Sequence, residues 1–405
     1  MRSFVIILSL CSLSAAPLVH ARPRPPVLTA CAAFAPDGSS AAATTDATNL
    51  ILEITQPSGS VAQLNLGLRY TAPNWQLENQ SMRWHLYTCQ AFFNRDSNLV
   101  AVSVSVLDYT TFKHRLQIAV ADLNSKKWIG DFTVEPQRAF VPLALAGFLE
   151  GSNSMVVTGA LPGPAVDGTQ HGSFASLLYD ATGRQLVPMP ATRANLGPSD
   201  GTPGRFCTDA VHDRLWGFPC VMYSTPLSKQ PPCPVLSTTL VGEDTLRAQF
   251  NPRGYGTDRT ELWMLPDTFA ASDPNTVLIA ESDTIWRIDI KKQNLERFVL
   301  PKRSHYPRFE GIHGPAALSP DGQVLAVPLV QQTVAFPYFL DNYVYKGTDI
   351  AVVRLHPFRL LGILPHGRAI YTPAFAVDHR QGKATILVYR EDHWERHEFS
   401  CPPAS

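Results

Sequence analysis

Three histidines and an arginine are the residues best suited to chemistry near neutral pH, because an imidazole exchanges protons there and a guanidinium holds an anion. His85, His305, His313 and Arg308 lie in long polar stretches between apolar runs. Brought together at one place, they would supply the acid, base or anion-stabilising groups of a hydrolase, lactonase or lyase. The same stretches are rich in aromatic residues. Tyr70, Trp75 and Trp84 precede His85, Tyr306 follows His305, and Tyr338 and Tyr343 stand in a third stretch. Tyr, Trp and Arg are the side chains that anchor recognition surfaces, and long loops on a rigid scaffold are where recognition concentrates. The candidate binding set is therefore Tyr70, Trp75, Trp84, His85, His305, Tyr306, Arg308, His313, Tyr338 and Tyr343. A protein, peptide or glycan is the ligand class that suits it. The competing reading is that these rings fill the small cores of their own loops.

Other apparent motifs dissolve on inspection. His393 and His397 have the spacing of a zinc pair on a helix, but they fall in an alternating, strand-like segment, where four residues span about 13 Å. Gly151-Ser152-Asn153-Ser154 lacks the second glycine of a nucleophile elbow and reads as a turn. Asp37, Asp321 and Asp378 are expected in equivalent turns, where Asp bonds nearby backbone. No phosphate-cradling glycine loop, paired zinc cysteines or dinucleotide fingerprint occurs in the sequence. No catalytic residue, metal ligand or cofactor is assigned on these grounds.

The elements that must position these residues recur along the chain. Residues 31–45 (CAAFAPDGSSAAATT) and 315–329 (PAALSPDGQVLAVPL) align as two copies of strand, Pro-Asp-Gly turn, strand. Weaker copies turn at Arg95, Glu150, Asp213, Pro274 and His379, at intervals of about 47 to 63 residues, the period of one propeller blade. The first copy predicts strands at 30–35, 40–45, 49–55 and 61–66. A further apolar hairpin recurs at 116–134, 176–187, 284–300 and 349–364. Helical periodicity is absent. The expected fold is all-β, a seven-bladed β-propeller of four-stranded antiparallel blades. The last blade shows strands at 370–376, 384–389 and 395–400. It is either left incomplete or closed by the proline-rich stretch 22–27 of the N-terminus.

Ala35-Pro36-Asp37-Gly38 and Ser319-Pro320-Asp321-Gly322, with their flanking strands, resemble the WD-repeat-like β-propellers of secreted bacterial proteins. The Trp-Asp and Gly-His pairs of eukaryotic WD repeats are missing. The resemblance implies a central channel with loops at its two ends, and it transfers no catalytic residue.

Bulk properties narrow the setting. Lys plus Arg and Asp plus Glu both number 34, so no overall field draws in nucleic acid or an anionic membrane. Arg2, the apolar run 4–10 and the small residues before Arg22 have the form of a secretory signal peptide over 1–21, leaving 22–405 as one domain. Leu10 stands where a lipobox ending at Cys11 needs Gly or Ala. No later stretch is apolar enough to be a membrane span, so a secreted or periplasmic location is expected. Beyond Cys11 there are Cys31, Cys89, Cys207, Cys220, Cys233 and Cys401, and an oxidising compartment favours disulfides between them. Cys220 and Cys233 flank a proline-rich loop and can close a hairpin end. Cys31 and Cys89 hold the same place in successive repeats and pair if their α-carbons come within about 7 Å. Buried free thiols are the alternative.

Overall fold

The computed structural model describes residues 29–45, 49–69, 89–108, 113–135, 141–148, 152–166, 169–187, 205–209, 214–218, 224–226, 267–270, 276–281, 283–289, 292, 294–301, 309–312, 316–334, 343–365, 374–390 and 393–402. Every regular element among these residues is a β-strand. The strands fall into antiparallel sheets that follow one another along the chain.

Sheet 1 is a meander of β1 (Thr29–Phe34), β2 (Ser40–Thr45), β3 (Asn49–Thr55) and β4 (Val61–Gly67), within a residue or so of the bounds expected from sequence. Its first turn shows why the Pro-Asp-Gly signature recurs. Gly38 takes φ 98°, a left-handed conformation open to glycine, and its N–H donates to Ala35 O at 3.0 Å. Asp37 Oδ1 accepts from Ser39 N at 2.8 Å. In the matching turn Gly322 takes φ 69°, and Asp321 Oδ1 accepts from Gln323 N at 3.1 Å.

Sheet 2 comprises β5 (Cys89–Phe93), β6 (Leu99–Asp108), β7 (Lys113–Asp122) and β8 (Lys127–Val134). Sheet 3 comprises β9 (Val141–Phe148), β10 (Met155–Val166), β11 (Thr169–Tyr179) and β12 (Gln185–Val187). Sheet 4 contains β13 (Arg205–Asp209), β14 (Arg214–Phe218) and β15 (Ser224–Pro226). Sheet 5 is β16 (Asp267–Ala270), β17 (Thr276–Glu281), β18 (Thr284–Asp289) and β19 (Asn294–Val299). In sheet 6 both β20 (Phe309–Ile312) and β21 (Ala317–Leu318) pair with β22 (Val324–Val334), which continues into β23 (Tyr343–Leu355) and β24 (Phe358–Pro365). The last, sheet 7, is β25 (Phe375–Arg380), β26 (Lys383–Arg390) and β27 (His393–Ser400), three-stranded among the described residues.

Burial explains the composition of the middle strands. Along β6, Val100, Val102 and Val104 pack toward sheet 1, whereas Leu99 and Ala101 pack toward sheet 3. Along β22, Leu325, Val327 and Leu329 face sheet 5, while Val324 and Ala326 face sheet 7. A strand covered on both faces needs an almost unbroken apolar run rather than an alternating one. The first sheet also meets the last, with β1 lying beside β25 as well as beside β5.

The turn expected at His379 is displaced. β25 runs on to Arg380, and the chain reverses at Gln381 and Gly382, with φ 49° and 72°. The strand therefore occupies 375–380, where 370–376 was expected, and Asp378 sits in the strand, 5% exposed, rather than in a turn. Partners make the extension possible. Asp378 Oδ2 accepts from Arg380 Nε at 2.8 Å, and His379 Nδ1 lies 2.7 Å from Asp321 Oδ2 of sheet 6. The stretch 22–27 and the turns expected at Glu150, Asp213 and Pro274 lie outside the described residues.

Candidate functional site

In a meander of antiparallel strands, connections alternate between the two ends of the sheet. The Pro-Asp-Gly turns join first to second strands at one end. The segments 70–88, 302–308 and 335–342 leave from the other, because they join an outer strand to the next sheet or a second strand to a third. These three stretches carry nearly all of the candidate binding residues.

The 70–88 segment is held at both stems by the described structure. At its start, Arg69 reaches from the end of β4 to sheet 2, where its guanidinium donates to Asp131 Oδ2 at 2.8 and 3.1 Å and to Asp131 O at 2.8 Å. Gln117, 2% exposed on β7, accepts from Arg69 N at 3.0 Å and donates to Asp131 Oδ1 at 2.9 Å. Three residues before Asp131, Trp128 Nε1 donates to Asn65 O at 3.1 Å. The segment ends at Cys89, which is disulfide-bonded to Cys31 with α-carbons 5.4 Å apart. Two neighbouring inner strands are thus joined covalently at the place where the chain returns.

Of the ten candidate binding residues, Tyr343 falls in a described element, at the start of β23 opposite Val334. Tyr70, Trp75, Trp84, His85, His305, Tyr306, Arg308, His313 and Tyr338 lie outside the described residues, as do Cys220 and Cys233. The expected link between Cys31 and Cys89 is present. Cys401 is the buried thiol of the alternative reading, unpaired and 2% exposed, and burial pushes its pKa up.

Sequence reasoning missed the stems. Gln117 and Asp131 look like ordinary strand residues, and only the pairing of β7 with β8 beside β4 gives them a common task. It also undervalued the histidines of β27. His393, Glu395 and His397 share one face at alternate positions, and both imidazoles lean onto the carboxylate between them. His397 Nε2 is 2.9 Å from Glu395 Oε2, and His393 Nε2 is 3.4 Å from Oε1. The hydrogen bond with His397 holds the Glu395 carboxyl below its usual pKa, with Arg390 adding to the effect. No set of three metal-ligating side chains occurs among the described residues.

At the opposite end the turns are tied to one another. Arg380 Nη2 donates to Ala35 O at 3.0 Å and Pro36 O at 2.6 Å. Asp37 N donates to Ser97 Oγ at 3.2 Å, and Asn94 Nδ2 donates to Asn153 Oδ1 at 2.9 Å. With the contact between His379 and Asp321, these bonds link sheets 6, 7, 1, 2 and 3 in succession. Ser152 and Ser154 thus belong to a structural turn, and Ser152 Oγ accepts from Ser154 N at 3.0 Å.

No protein-family model and no curated protein matches the chain. Among solved structures it is similar to a chain of the mitotic checkpoint complex, at 9% identity over 100% of both chains with a TM-score of 0.46. It is similar to a protein from Lactobacillus plantarum, at 12% identity over 87% of this chain and 92% of that one, TM-score 0.42. A third similarity is to the β-propeller domain of the trilobed protease from Pyrococcus furiosus, at 9% identity over 93% of each chain, TM-score 0.40.

Proposed function

We propose that the chain is a seven-bladed β-propeller, exported from the cytoplasm, that acts as a binding or assembly module for a protein, peptide or glycan. The recognition surface is the end carrying Tyr70, Trp75, Trp84, His85, His305, Tyr306, Arg308, His313, Tyr338 and Tyr343. One observation carries this reading. The 70–88 segment, with two tryptophans, two tyrosines and a histidine, begins at the Arg69–Gln117–Asp131 network and ends at a disulfide. Fixing both stems lowers the conformational entropy lost on binding, which is how scaffolds turn loops into recognition surfaces. The contact of β1 with β25 supports closure of the sheets into a ring. The Cys31–Cys89 bond and the signal-like sequence 1–21 support export.

The test is a screen of the purified protein against peptide and glycan arrays, together with in-cell crosslinking in its source. Each interaction found is then repeated with a variant carrying Trp75→Ala, Trp84→Ala, Tyr306→Ala, Arg308→Ala and Tyr338→Ala. Loss of binding with unchanged thermal melting is expected, and survival of every interaction would refute the assignment. Intact-mass measurement of the exported protein should give a chain starting at Arg22.

A further inference from the structure

β27 is the outermost strand of the last sheet among the described residues, and its outer edge has a definite chemistry. Tyr389 N donates toward β25, to Ala374 O at 2.9 Å, and Cys401 N donates to Gly382 O at 2.7 Å. In the β26–β27 ladder, which runs from Lys383↔Ser400 to Arg390↔His393, the backbone groups of His393, Glu395, His397 and Phe399 therefore turn inward. Backbone N–H and C=O groups alternate in direction along an antiparallel strand. Those of Trp394, Arg396, Glu398 and Ser400 consequently point outward, where no described strand pairs with them. Arg396 and Glu398 are exposed and share a face of the strand, and Glu398 already bonds Lys383 Nζ at 2.9 Å. The opposite face is committed to sheet 6, since Phe399 lies against Gly362 of β24.

We propose that this edge is completed by a second copy of the chain, with two β27 strands pairing antiparallel about a two-fold axis at His397. An isologous contact requires a self-complementary strand, and this register provides one. Trp394 faces Ser400 of the partner subunit, Arg396 faces Glu398 of the partner subunit, and every outward backbone group gains a partner. Sliding by two residues in one direction puts Arg396 opposite its own copy. Sliding the other way does the same to Glu398. Both slips place like charges in direct cross-strand contact and leave outward groups unpaired. The register that uses the whole edge is thus also the one that matches charge.

Sedimentation equilibrium over a dilution series tests the pairing on the full chain, alone and as R396E, E398R and the double exchange R396E/E398R. A reversible dimer is expected, weakened roughly tenfold or more by each single exchange because both symmetric pairs become like-charged, and recovered in the double exchange. A monomer at all concentrations, or a dimer indifferent to the single exchanges, overturns the proposal. Should a single variant fail to fold, hydrogen exchange on the unmodified protein decides. The amides of Trp394, Arg396, Glu398 and Ser400 must become protected as concentration rises. Protection independent of concentration means that the chain's own 22–27 stretch holds the edge, and absence of protection means that nothing does. Either result overturns the proposal.

Discussion

Asp180 shows how much a single carboxylate can organise in this chain. In the turn between β11 and β12, Oδ1 accepts from Thr182 N at 3.0 Å, Thr182 Oγ1 at 2.7 Å and Arg184 N at 3.0 Å, while Oδ2 accepts from Arg184 Nε at 3.1 Å. The hydrogen bond from Thr182 is the largest cause of a pKa lowered from 3.8 to about 2, and the bonds from Arg184 add to it. A carboxylate more acidic folded than unfolded contributes stability above its unfolded pKa and loses it as pH falls through the folded one. Asp180→Ala should therefore be less stable than the parent protein by a constant amount above about pH 5, with the difference shrinking as pH falls and lost only near about pH 1, below both pKa values. Urea unfolding at a series of pH values measures it, and a difference undiminished between about pH 5 and pH 1 would contradict the assignment. The Cys31–Cys89 bond also acts at this scale. It closes a span of 58 residues, for which chain entropy gives about 4 kcal/mol. The Cys31→Ser/Cys89→Ser variant should lose stability of that order in the same assay. Sequence placed both cysteines at one position of adjacent repeats but left fifteen pairings open for six thiols. The neighbouring of β1 and β5 selects this one.

Elements meet through close approaches that tolerate no extra atom. Gly130 lies in β8 beside a bulge that leaves Ile129 facing outward, 41% exposed. A Cβ added at Gly130 would stand 2.1 Å from the carbonyl oxygen of Ala181 in the next sheet's turn, and one at Gly183 would meet Phe132 at 2.5 Å. Gly130→Ala must force sheets 2 and 3 apart, at a cost of about 2–3 kcal/mol. Gly59→Ala is the control, because it has a left-handed φ of 82° but no neighbour within 4 Å, so its penalty is about 1 kcal/mol of backbone strain. Equal losses in the two variants would mean that the contact between sheets is not tight. The elements themselves were largely legible: alternation in 49–55, the apolar run of β6 and the Pro-Asp-Gly turns put the strands of sheet 1 within a residue or so of their places. The reversal after β25 was not, because Asp378, His379 and Arg380 read as a polar turn until Asp321 and Ala35 are seen to satisfy them from neighbouring sheets. Candidate loops stood out by their aromatic content, whereas the stems that hold one of them depend on Gln117 and Asp131, whose types carry no signal outside the paired strands.

Contact between the first and last sheets is something no single sheet can supply, and Arg380 is the residue through which its weight can be tested. Its guanidinium joins Asp378 of its own strand to the carbonyl oxygens of Ala35 and Pro36, more than three hundred residues earlier in the chain. It also fills the space above Gly38, where an added Cβ would lie 2.9 Å from its Cζ. Removing the side chain as Arg380→Ala withdraws donors from both carbonyls and strands an almost buried carboxylate, so a loss of about 2 kcal/mol is expected. Lys383→Ala removes a solvent-exposed pair with Glu398 on the same sheet and should leave stability nearly unchanged. The distinguishing readout is where protection is lost. If the first and last sheets are halves of one seam, hydrogen exchange in Arg380→Ala should quicken together in β1 and β25, while β6 and β7, sandwiched between sheets 1 and 3, stay protected. Faster exchange confined to β25 would mean that the two sheets touch without supporting each other.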